Sequence, residues 1–61
     1  MKRVLCNAIV DRCEIGSFTV TVSGRDDHAG IVRVYTMRKA SEDAAAQEGM
    51  RRFVEEMGGD L

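Results

Sequence analysis

The sequence predicts an α+β fold, a three-stranded antiparallel sheet with one C-terminal helix packed on one face, in the order β-β-β-α. Three observations predict it. A capped segment of helical period follows Ser41, residues 18–22 and 31–37 alternate with a period of two, and a weaker alternation opens the chain.

The helix is the clearest element. The Ser41 hydroxyl can accept a bond from an unpaired amide of the first turn. Glu42 and Asp43 place negative charge at the positive end of the helix dipole. Ala44, Ala45 and Ala46 bring high helix propensity, and Gly58-Gly59 supplies the stop, since glycine accepts the left-handed conformation just past a helix end. Wound at 100° per residue, the segment puts Ala46, Met50, Phe53 and Met57 on one stripe, with Val54 at its edge. Glu48, Arg51, Arg52 and Glu55 lie opposite, where i,i+4 ion pairs contribute about 0.2–0.5 kcal/mol each. Gly49 costs roughly 1 kcal/mol relative to alanine in a helix. Its place beside the stripe predicts a close approach to a neighbouring element.

Phe18, Val20 and Val22 alternate with Thr19 and Thr21, the pattern of a half-buried strand, and the first three face the core. Residues 31–37 form a second strand, in which Val32 and Val34 are assigned inward because the other register would bury Arg33. Gly24 to Gly30, with Asp26 and Asp27 between them, has turn chemistry and predicts an antiparallel hairpin. From Arg3 to Asp11, the alternation of Val4, Cys6, Ala8 and Val10 fits a strand that turns near residues 14–17. The grouping Val4, Leu5, Ala8 and Ile9 also fits a short helix, and the strand is the favoured of the two. The predicted core is Phe18, Val20, Val22, Val32, Val34, Ala46, Met50, Phe53 and Met57.

Length sets the energetic problem. The 61 residues make a single domain, 1–61, and a chain this short buries only about 60% of the surface its unfolded form exposes. Small domains compensate with disulfides, metals, tight packing or association. Two cysteines exclude dense disulfide stapling, so association with a second copy carries weight from the start. At 44% hydrophobic and 31% charged residues the chain is too apolar for disorder, and no apolar run approaches the ~20 residues of a membrane span. The apolar stretch after Lys2-Arg3 contains Asn7 and ends at Asp11-Arg12, which argues against a signal peptide and for a cytoplasmic protein. Charge is unevenly placed: residues 1–40 carry a net +3 and residues 41–61 a net −4.

Candidate chemistry is sparse. His28, the single histidine, follows Asp26-Asp27 in the loop, and three adjacent residues rarely converge on one ion, so an exposed turn is expected and no metal site. Cys6 and Cys13, seven apart, fall on opposite sides of a strand and match neither a zinc nor a redox spacing. They are expected to be buried or partly buried free thiols. The glycines form no phosphate-binding spacing, and Met50 and Met57 read as core filler. No cofactor and no catalytic activity are expected.

The informative surface is the sheet face that one helix leaves uncovered. With Val32 and Val34 inward, it comprises Thr19, Thr21, Ile31, Arg33 and Tyr35, with Met37 beside them and Arg38 and Lys39 at the rim. Thr19, Thr21, Ile31, Arg33, Tyr35 and Arg38 are the candidate interaction residues. The favoured reading is a non-catalytic protein-interaction or structural module whose partner is a second copy or another protein, without membrane association. The alternative is nucleic-acid binding, with Arg on phosphates and Tyr stacked on a base. The strand-strand-strand-helix order resembles that of plant and phage DNA-binding domains that read the major groove with a sheet, the integrase arm-type domains among them. That resemblance is one of architecture, since their basic, tryptophan-containing strand motifs are missing here.

Overall fold

The computed structural model describes residues 4–58. They form β1 (Cys6–Glu14), β2 (Ser17–Gly24), one turn of 3-10 helix (Asp26–His28), β3 (Val32–Arg38) and α1 (Glu42–Glu56). The three strands make one antiparallel sheet in the order β1-β2-β3, with α1 packed on one face, the β-β-β-α arrangement the sequence predicts.

The opening segment is a strand and not a short helix. It runs past Asp11 because Arg12 and Glu14 still find partners, Phe18 and Ser17, across a register shift between them. The predicted start at Arg3 lies outside the described residues, as does Gly59. Ile15 and Gly16 turn the chain between β1 and β2, and Gly16 sits at φ 75°, where a side chain would be strained. The loop from β2 to β3 tucks under itself: Gly24 donates to the Ile31 carbonyl at 2.8 Å, and Arg25 donates to the Leu5 carbonyl at 2.8 Å. A Cβ on Gly24 would lie 2.7 Å from the His28 Cβ, so only glycine fits beside that turn.

On the helix side of the sheet, Phe18, Val20 and Val22 are the buried centre of β2, as predicted. The β3 assignment is corrected. Met37 pairs with Phe18, Tyr35 with Val20 and Arg33 with Val22. Directly opposed residues share a face, so Arg33, Tyr35 and Met37 lie on the helix side while Val32 and Val34 point away from it, 50% and 61% exposed. The premise that this register buries Arg33 fails because β3 is an edge strand. Arg33 extends past the helix to within 3.6 Å of Glu56 and stays 47% exposed.

Helix α1 begins and ends where predicted. The Ser41 hydroxyl accepts from the Ala44 amide at 3.2 Å, and Gly58, at φ 75°, follows the last turn. Its buried stripe, however, is Ala45, Gly49 and Phe53 with Val54. Ala46, Met50 and Met57 flank that stripe only partly buried, so the predicted face is rotated by about one residue. Gly49 is the reason. A Cβ there would stand 2.5 Å from Val20 Cγ1 and 3.1 Å from Val20 Cβ, so the backbone of the helix rests directly on the central strand. Val4 and Met37, neither placed in the predicted core, complete it.

Candidate interaction surface

Strand register decides which side chains share the uncovered face. Across it run four rows: Asn7, Ser23 and Val32; Ile9, Thr21 and Val34; Asp11, Thr19 and Thr36; and Glu14, Ser17 and Arg38. Three of the molecule's exposed large apolar side chains fall in the first two rows, with Ile9 64% exposed on β1 and Val34 and Val32 on β3. Between them the β2 column is Ser17, Thr19, Thr21 and Ser23, all short side chains. Cys13, at the irregular end of β1, is exposed on this side, with Sγ 3.1 Å from the Thr19 hydroxyl. The expectation of a buried or partly buried thiol therefore holds only for Cys6, where burial raises the thiol pKa.

The predicted site residues are thus divided. Thr19, Thr21 and Arg38 lie on the uncovered face, whereas Ile31, Arg33 and Tyr35 belong to the helix side. Ile9, Asp11, Glu14, Val32 and Val34 are among the surface residues that sequence reasoning missed. One signal could have found the β3 set. Ile31, Tyr35 and Met37 are the bulkier apolar parity of that strand, and they take the core side even with Arg33 among them.

Arg33 and Tyr35 have partners within the fold. The Tyr35 hydroxyl donates to the Glu56 carboxylate, whose other oxygen faces Arg33. Burial, then the hydrogen bond and negative charge of Glu56, push the Tyr35 pKa up to about 12. A raised phenol pKa means that the fold prefers neutral Tyr35. The stabilisation is intact below pH 10 and is lost as pH rises through about 12. With one tyrosine and no tryptophan in the chain, tyrosinate absorbance reports this group alone. We expect a titration midpoint near 12 that falls part of the way toward 10 in Glu56→Gln. A wild-type midpoint at the ordinary value would remove the Tyr35–Glu56 contact.

The arginines of the helix are also engaged. Arg51 bonds Glu48 at 2.8 Å and Glu55 at 3.0 Å, and Arg52 bonds Glu48 at 2.9 Å. Hydrogen bonds from Arg51 first, then Arg52, hold the Glu48 carboxyl down at about 2. On the uncovered face, by contrast, Asp11, Glu14 and Arg38 have no ion-pair partner among the described residues.

Other candidate chemistry is dispersed. Asp26, Asp27 and His28 occupy one turn of 3-10 helix, which points three successive side chains in three directions. Among the described residues, no group of three or more His, Cys, Asp or Glu is placed to hold a metal ion, and no helix is long and apolar enough to cross a membrane. Comparison with protein-family models, with curated proteins and with solved structures finds no match.

Proposed function

We propose that this domain is a non-catalytic interaction module that works as a homodimer, joined through the sheet face its helix leaves uncovered. The observation that carries the reading is the trio Ile9, Val32 and Val34, exposed together on that face around small β2 side chains. Exposed β-branched residues concentrated on one flat face are what an interface core requires, and a symmetric contact lets one patch serve both partners. The same contact would enlarge a core that is small for an independent domain.

Size sets the strength. Three strands about 4.8 Å apart and eight residues at about 3.4 Å rise give a face of roughly 14 by 27 Å. Its projection, about 380 Å², falls below the ~800 Å² per partner of a standard interface. The dimer is therefore expected to be weak, forming in the micromolar range and above. Sedimentation equilibrium should show the mass climbing from the 6.7 kDa of one chain toward twice that as concentration rises. Ile9→Asp should hold it at one chain while leaving the circular dichroism spectrum unchanged, because Ile9 is no part of the buried core. A wild-type mass fixed at one chain up to hundreds of micromolar would end this reading.

Nucleic-acid binding is the weaker alternative. Two residues proposed to carry it, Arg33 and Tyr35, are held by Glu56 on the helix side, and the uncovered face sets Arg38 alone against two carboxylates, Asp11 and Glu14. A gel shift at low salt that disappears in Arg38→Ala would revive it, since counterion release makes phosphate binding strongest there.

A further inference from the structure

The geometry points to one arrangement of the two copies, face to face about a two-fold axis running along β2. This deepens the homodimer reading and rests on it. Each candidate axis superposes a different set of side chains, and the sets differ in chemistry.

An axis along the central strand exchanges the two edge strands across the interface while keeping each row at its own level. Ile9 of one copy then meets Val34 of the other, twice. Thr21 and Thr19, on the axis, meet their own equivalents. At the far end the acidic edge of β1, Asp11 and Glu14, comes over Arg38 of the partner, again twice. Within one copy Glu14 and Arg38 are two strand spacings apart, about 9.6 Å, and do not pair. Dimerisation about this axis gives these three charges the counterions that the fold does not.

An axis across the strands does the opposite. Centred on the sheet, it lays each edge strand antiparallel on its own copy, so Ile9 meets Asp11 and Val32 meets Arg38. Apolar groups then desolvate charges and no opposite charges meet, which is unfavourable on both counts. Aligned sheets cross at about 30°. That twist moves the edge positions of the two middle rows by about 3 Å, less than one strand spacing, and the corners by about 6 Å, within reach of the long Glu14 and Arg38 side chains.

The test is a charge exchange read by sedimentation. Arg38→Glu and Glu14→Lys should each weaken self-association roughly 10-fold, since each replaces two attractive pairs with repulsive ones. An equimolar mixture of the two variants should recover most of the wild-type constant, because both pairs between positions 14 and 38 in the mixed dimer are again opposite in sign and only one Asp11 is left facing a glutamate. In a background of Cys6→Ala and Cys13→Ser, Thr21→Cys should be joined to itself by a short bis-maleimide. Ile9→Cys should be joined efficiently only when mixed with Val34→Cys. The charge exchange needs no cysteine changes, so it stands even if that background does not fold. A wild-type dimer that shows neither rescue on mixing nor self-linking at Thr21→Cys overturns this axis and leaves the dimer itself standing. A wild-type chain that never dimerises overturns both.

Discussion

Phe53→Ala is expected to lower the unfolding free energy by about 3–5 kcal/mol, enough to leave the domain largely unfolded at 25 °C. Phe53 and Phe18 are the largest fully buried side chains, and both belong to the cluster that holds helix and sheet together. Two effects add on truncation: lost transfer of the ring from water, and a cavity that the surroundings only partly fill. Collapse is hindered here because the helix backbone at Gly49, one turn before Phe53, already rests on Val20. Against that loss stands the whole stability of a chain under ~70 residues, rarely more than about 3–5 kcal/mol. Circular dichroism with a urea titration would measure it. Met57→Ala should cost less in the same assay, because Met57 lies at the margin of the core. A cooperative transition displaced by under ~1 kcal/mol in Phe53→Ala, well short of the usual cost of emptying such a site, would mean that the helix is not docked through this residue.

What could be read from the sequence, and what could not, divides along a physical line. Local chemistry was legible: the Ser41 cap, the glycine stop, the Gly16 turn and the β2 alternation each act within a few residues, and each is found where expected. The failures are of facing, which depends on contacts between elements. In β3 the cost of burying Arg33 holds for a central strand, but an edge position lets the guanidinium escape to Glu56. In α1 the predicted stripe runs through Met50 and Met57, whereas the helix backbone approaches the sheet at Gly49, which brings Ala45 into the buried stripe. The same error reached the candidate surface. The register of β3 places Val32 and Val34 on the uncovered face where Arg33 and Tyr35 are expected, so an apolar pair stands there in place of a guanidinium and a phenol. Thr19 and Thr21 lie on the expected face because the β2 alternation fixes their side, and Arg38 joins them because it has the parity of Val34.

Gly49→Ala separates a helix that merely contains a glycine from one that needs it. In an exposed helix the substitution should stabilise by about 1 kcal/mol, through lower backbone entropy in the unfolded chain. Here the new methyl would stand 2.5 Å from Val20 Cγ1, closer than van der Waals contact allows, and Val20 is fully buried with little freedom to move aside. Overpacking of this kind costs about 1–3 kcal/mol, so with the gain of about 1 kcal/mol set against it the expected net effect is a loss of up to about 2 kcal/mol. The decisive comparison is a double-mutant cycle with Val20→Ala. Removing the Val20 methyls alone should destabilise by about 2 kcal/mol, yet it also clears the space that the methyl introduced by Gly49→Ala requires. The two changes together should therefore destabilise by at least about 1 kcal/mol less than the sum of the single losses. Strict additivity, or a stabilising Gly49→Ala, would show that the helix does not lie against β2 at this position. The burial of Ala45 and Phe53 on the same stripe would then lose its foundation, and so would the division between the covered and uncovered faces of the sheet.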